Sequence, residues 1–186
     1  MSKIYLDANT LLSHSFQLAR NIYESDFTPT ALLALWRGGT PVGIAIHEGL
    51  SYLGVSTKHF ALRTTYYDQN NERLKKVEID NFGTIAQQLT QEDSLLIVDD
   101  VFDSGKTIET LLHKITHSPS ITTPKAIKIA TPFVKPNKNL TSITPDFFLF
   151  KTDEWIVFPH ELHGLDEHEI YDNKPSARSL IQKIEA

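Results

Sequence analysis

Leu95-Leu96-Ile97-Val98-Asp99-Asp100-Val101-Phe102-Asp103-Ser104-Gly105-Lys106-Thr107 carries an apolar run straight into two carboxylates and then into a small-residue turn. Residues 94–98 are short, apolar, partly β-branched and bounded by polar neighbours, as a strand covered on both faces requires. Asp99 and Asp100 stand at its carboxyl end, where open α/β sheets bind ligands. After Ser104, Gly105, Lys106 and Thr107, the apolar residues Ile108, Leu111, Leu112 and Ile115 recur at helical spacing. A tight turn feeding a helix N-terminus presents backbone N–H groups to an anion. The carboxylates upstream would repel a phosphate, but they would accept hydrogen bonds from sugar hydroxyls or hold a hydrated Mg²⁺. A ribose phosphate brings a group for each of these parts.

Two plainer readings fit part of the stretch. Gly105-Lys106-Thr107 matches the tail of a nucleotide P-loop, yet Asp100 occupies the place of its leading glycine, where backbone must approach phosphate. A helix N-cap at Asp103 or Ser104 accounts for the turn alone, and capping does not exclude anion binding.

The stretch resembles the phosphoribosyl pyrophosphate motif of type I phosphoribosyltransferases, in which two acidic residues follow a hydrophobic strand and precede a phosphate loop with threonine and glycine. The resemblance implies an α/β fold: a mostly parallel sheet flanked by helices, with a small hood formed mainly by the C-terminal third. Length and composition agree with this class. With 186 residues and 40% hydrophobic content the chain suits one sizeable core, so a single domain over 1–186 is expected, with the hood at about 135–175. A net charge of −5 argues against broad attraction to nucleic acid or an anionic membrane. Cysteine is absent, which excludes disulfides and thiolate metal sites. The opening residues lack an apolar signal region and no run approaches membrane-spanning length, so a cytoplasmic protein is expected.

Helical and strand periods alternate along the chain, as a mostly parallel sheet requires. A helix over 9–24 puts Leu12, Phe16, Ala19 and Tyr23 on one stripe beside Leu11, Leu18 and Ile22, read as core packing. Residues 31–36 read as a buried strand, with a helix from Thr40 and Pro41 to near Gly54. Strands over 60–67 and 73–77 flank a polar insert; a helix near 81–89 precedes the motif, and a strand over 126–134 follows it. Short apolar runs at 147–150 and 155–158 and a closing helix over 176–184, capped by Ser176, complete the pattern.

Three further constellations bear on chemistry. Arg37-Gly38-Gly39 follows the second buried strand; paired glycines allow positive φ and close backbone approach, and arginine pairs with phosphate oxygens. An ordinary turn with a surface arginine is the plainer reading. In the resembling family such a loop binds the pyrophosphate half of the donor. Tyr67, Asp68 and Asn70 lie in a polar segment that is either a solvated hairpin tip or a closing loop. It is similar to the flexible loop of bacterial xanthine-guanine phosphoribosyltransferase. Lys135, ending a strand, offers a donor to a ring carbonyl, and Trp155 offers an aromatic face; a surface lysine and a packing tryptophan account for each singly. In the resembling purine enzymes, lysine meets the 6-oxo group and backbone beside the aromatic residue, here Ile156, reads the base edge. His160-Glu161-Leu162-His163 has the wrong spacing for a zinc helix and reads as a solvated acidic turn. Asn139-Leu140-Thr141 is a formal glycosylation sequon without expected use.

The resemblance implies transfer of phosphoribosyl from phosphoribosyl pyrophosphate to hypoxanthine, guanine or xanthine, with Mg²⁺ as cofactor. Asp99 and Asp100 would hold ribose hydroxyls and metal-bound water, and residues 104–107 the 5-phosphate. Asp103 would face purine N7 as acid or base. A homodimer or homotetramer is expected from relatives. Two alternatives stay open: a same-fold transferase for adenine or orotate, and a phosphoribosyl pyrophosphate-binding regulator that recognises RNA or protein without turnover.

Overall fold

The computed structural model describes residues 3–67, 76–79, 82–118 and 122–181. In chain order its main elements are β1 (Lys3–Tyr5), α1 (Ala8–Tyr23), β2 (Ala31–Trp36), α2 (Gly39–Tyr52), β3 (Lys58–Tyr67), β4 (Lys76–Ile79), α3 (Phe82–Ala86), β5 (Ser94–Val98), β6 (Val101–Phe102), α4 (Lys106–His117), β7 (Ala126–Val134), β8 (Phe147–Lys151), β9 (Trp155–Val157) and α5 (Glu167–Asn173). Two compact units emerge, one of Leu12–Asp153 and one of Met1–Leu11 with Glu154–Ala186.

The larger unit holds a seven-stranded sheet among the described residues, in the order β4, β3, β2, β5, β7, β6, with β8 also on β7. All its pairings are parallel except β3 with β4. Every residue of β5 is buried, which is why Leu95 to Val98 run continuously apolar rather than alternating. On one face, Leu33, Leu35, Leu95 and Ile97 pack with Phe82 and Ile85 of α3 and Ile108, Leu111 and Ile115 of α4. On the other, α2 comes so close that a Cβ on Gly43 would stand 2.6 Å from the Ala34 Cβ. From β2 the chain proceeds outward to β3, whereas from β5 it proceeds the opposite way to β7. This switch point opens a crevice at the strands' carboxyl ends.

At the other end of the sheet, buried Asp93 accepts bonds from Thr30 Oγ1 (2.8 Å), Thr90 N (2.8 Å) and Lys58 Nζ (3.0 Å), tying the starts of β2, β3 and β5. Burial alone would raise its pKa, but these donors outweigh burial and hold it at about 2.

In the smaller unit β1 pairs in parallel with β9, Ile4 opposite Ile156. Helix α5 starts with a reciprocal capping box between Asp166 and Glu169. Glu169 also accepts from Lys3 Nζ and, at 2.6 Å, from the Tyr5 hydroxyl. The bonds from Lys3 and Tyr5 hold Glu169 down at about 2, and the bond to Glu169 pushes Tyr5 up to about 12. Buried Lys174 donates to the Phe158 carbonyl at 2.5 Å, and desolvation lowers its pKa despite nearby Glu161.

Three expectations need correction. Of the α1 residues read as core, Ala19, Leu11, Leu18 and Ile22 are buried, but Leu12, Phe16 and Tyr23 are 45–47% exposed. Helix α5, at Glu167–Asn173, lies in a stretch to which no helix was assigned, while residues 160–163 are turn and irregular backbone. The closing helix is a 3-10 turn over Pro175–Leu180 that begins after Lys174, with no side-chain cap from Ser176. No helix among the described residues is long and apolar enough to cross a membrane.

Candidate active site

The crevice at the switch point is built from the loops that leave β2 and β5. Ala34 pairs with Val98, so the Arg37-Gly38-Gly39 loop and the Asp99-Asp100 pair emerge side by side. The Trp36–Arg37 peptide is cis, and Arg37 is exposed to solvent. The paired glycines are required for space, not for positive φ: Gly38 has φ −66°. A Cβ on Gly38 would stand 1.9 Å from Asp100 Oδ2, and one on Gly39 would stand 2.6 Å from the Val98 carbonyl oxygen. The loop backbone therefore lies directly on the acidic pair.

Asp100 is buried and Asp99 partly so. Desolvation first, and the neighbouring Asp100 carboxyl second, push Asp99 well above the usual carboxylate range. A divalent cation would relieve both penalties, so the pair fits Mg²⁺. Mg²⁺ is commonly held by one or two carboxylates with waters and substrate phosphates. Among the described residues no cluster of three or more metal-binding side chains is present.

Beyond the acids, Gly105 is the N-cap of α4 with φ +75°, a conformation that favours glycine, and no side chain caps the helix. Ser104 Oγ comes only to 3.4 Å from Lys106 N. Residues Asp99, Asp103, Ser104, Gly105 and Thr107 help line a hollow of about 70 Å³ at a helix start, where free backbone N–H groups suit an anion. The Lys106 head turns away to Glu109 at 3.0 Å, which leaves its backbone as its contribution here.

Lys135 follows β7 directly and is 5% exposed, so it is not a surface lysine. Its Nζ donates to Asp103 Oδ2 at 3.0 Å. Burial in the wall beside β6 fixes this donor, and its partner carboxylate is 44% exposed. Trp155, 52% exposed, and buried Ile156 belong to the smaller unit. Tyr67 ends β3, whereas Asp68 and Asn70 lie outside the described residues.

Sequence reasoning missed the role of Asn139 and Thr141, noted only as a sequon. Both side chains lie against Gly105, and the Asx-turn pattern N-x-T was the available signal. It also left Glu161 without a role. Its Oε2 accepts from Phe158 N at 3.1 Å, which holds the turn after β9.

Comparison with known proteins finds relatives of the same fold. A rat hypoxanthine-guanine phosphoribosyltransferase is 23% identical over 177 residues, covering 90% of this chain and 77% of its own length. A purine phosphoribosyltransferase from Pyrococcus horikoshii superimposes with a TM-score of 0.67 at 26% identity, covering 89% of this chain and 98% of that one. A Neisseria gonorrhoeae protein solved with bound ppGpp gives 0.74 at 19% identity, covering 97% and 98%. The phosphoribosyl transferase domain model matches residues 1–167, and with the acid pair, the anion turn and the switch-point crevice all present, the chain belongs to that family.

Proposed function

We propose that this chain transfers a phosphoribosyl group from phosphoribosyl pyrophosphate to a 6-oxopurine, hypoxanthine, guanine or xanthine, releasing pyrophosphate. The observation that carries this reading is the Lys135–Asp103 pair. A cationic donor and a carboxylate acceptor 3.0 Å apart complement the neighbouring O6 acceptor and N7–H donor of an oxopurine edge. Adenine presents a donor at position 6 and would meet the lysine donor to donor.

In the transfer, the bond from ribose C1 to the pyrophosphate oxygen breaks as a purine nitrogen bonds to C1. Asp103 takes the proton that the base sheds. Arg37 with the backbone of Gly38 and Gly39 holds pyrophosphate, Asp99 and Asp100 hold ribose hydroxyls, and residues 104–107 hold the 5-phosphate. Asp99 and Asp100 would also hold Mg²⁺, which when bound neutralises charge on the leaving group. Trp155, half exposed on its own unit, supplies an aromatic face for a base, with Ile156 backbone beside it. The protein works as a cytoplasmic homodimer or homotetramer, on a small-molecule donor and base and not on nucleic acid or membranes.

Lys135→Met tests the reading. The ratio of kcat/KM for hypoxanthine to that for adenine is expected to fall at least about tenfold, because the O6 donor is gone. An unchanged ratio contradicts the assignment.

A further inference from the structure

We propose that Asn139, supported by Thr141, is a positioning residue for the 5-phosphate turn, and that its neutral amide keeps the turn receptive to an anion. The proposal rests on the reading of residues 104–107 as a phosphate cradle. Gly105 carries that turn at φ +75°, and a Cβ on it would stand 2.5 Å from Thr141 Oγ1 and 3.0 Å from Asn139 Oδ1. These side chains are thus the wall against which the turn rests.

The wall is itself held. Asn139 Oδ1 accepts from Thr141 N and Thr141 Oγ1, each at 2.9 Å, and Asn139 Nδ2 donates to the Ile143 carbonyl at 2.9 Å. Ile143 N donates back to Thr141 Oγ1 at 3.2 Å. Leu140 N, between the two side chains, donates to the Ser104 carbonyl at 3.0 Å and ties the wall to the turn. Upstream, Asn137 donates from N and Nδ2 to Asp153, at 3.1 and 2.6 Å, and anchors the segment's start.

Turn geometry alone does not ask for an amide, since aspartate forms the same Asx turn as readily as asparagine. An anion cradle does. A carboxylate this close to Gly105, on a side chain only partly buried, would oppose a phosphate in the turn, and it would lose the bond to the Ile143 carbonyl. Asn139 touches no ligand in this scheme; it acts through Ser104 and Gly105.

The test is to measure KM for phosphoribosyl pyrophosphate and for hypoxanthine separately in Asn139→Asp, Asn139→Ala and Thr141→Val. Asn139→Asp is expected to raise the donor KM at least about tenfold, more than Asn139→Ala, with the base KM within about twofold. Rising salt should shrink the excess of Asp over Ala. Thr141→Val, nearly isosteric and so expected to fold, should raise the donor KM severalfold. Unchanged donor KM in all three, an equal rise for donor and base, or Asp indistinguishable from Ala at every salt concentration overturns the proposal. If the unaltered protein turns over no base, the proposed function fails; calorimetric affinities for phosphoribosyl pyrophosphate must then still follow the same order. Absence of donor binding by the unaltered protein overturns cradle and proposal together.

Discussion

Asp103 and Lys135 share one ion pair but not one environment: the lysine side chain is 6% exposed and the carboxylate 44%. Packing fixes the donor in place, and the acceptor is the half that also meets solvent. Asp103→Asn is predicted to lower kcat by roughly 10²–10⁴ while melting near the unaltered protein; turnover within a factor of two would remove its role as base. Gly39→Ala brings a new Cβ to 2.6 Å from the Val98 carbonyl oxygen, a backbone atom that cannot rotate away. It is predicted to cost about 1–3 kcal/mol in a denaturation series and to abolish activity; a neutral Gly39→Ala contradicts the close approach of loop and strand. The sequence marked Asp99, Asp100, Gly38 and Gly39 as candidates, and read the glycines as allowing positive φ and close backbone approach. What it could not show is the crowding by Asp100 and Val98, which are remote in sequence and adjacent only across the sheet.

At the scale of elements, β2, β5 and β7 were readable to the residue: β2 and β5 because strands buried on both faces leave near-continuous apolar runs, and β7 even though Lys128 and Thr131 interrupt it. Helix α5 was not, since only Ile170 in it is buried and no apolar stripe marks it. Its Asp166-x-x-Glu169 box was the available signal. Two acids carry the pH dependence of these elements. Asp93 ties the strand starts and Glu169 ties β1 to α5, each held at about 2 against ordinary values of 3.8 and 4.5. Both pKa values are depressed on folding, so their stabilisation is complete above about 4.5 and is lost as pH falls toward 2. The melting temperature should therefore fall through that window, and Asp93→Asn should flatten part of the fall. A profile flat from 4.5 to 2 would contradict these assignments.

Across the whole molecule, the strand order accounts for the place of the candidate site: the direction of winding across the sheet reverses between the parallel neighbours β2 and β5, and both loops leave from that point. The alternation of periods made the α/β class legible. The exposed face was misread, because helical spacing identifies an apolar stripe without saying what covers it. Leu12, Phe16 and Tyr23 on α1, with Ile44 at 62% and Tyr52 at 92% exposure on α2, form apolar surface of the kind that association covers. Light scattering is predicted to give at least a dimer mass, and Tyr52→Glu to shift it toward monomer; a monomer for the unaltered protein contradicts the oligomer. The most direct measurement is pyrophosphate release from phosphoribosyl pyrophosphate and Mg²⁺, with hypoxanthine, guanine, xanthine, adenine and orotate supplied one at a time. Release with one or more oxopurines, and not with adenine or orotate, is the predicted result. Release with adenine or orotate alone, or silence with every base despite tight donor binding, would contradict it.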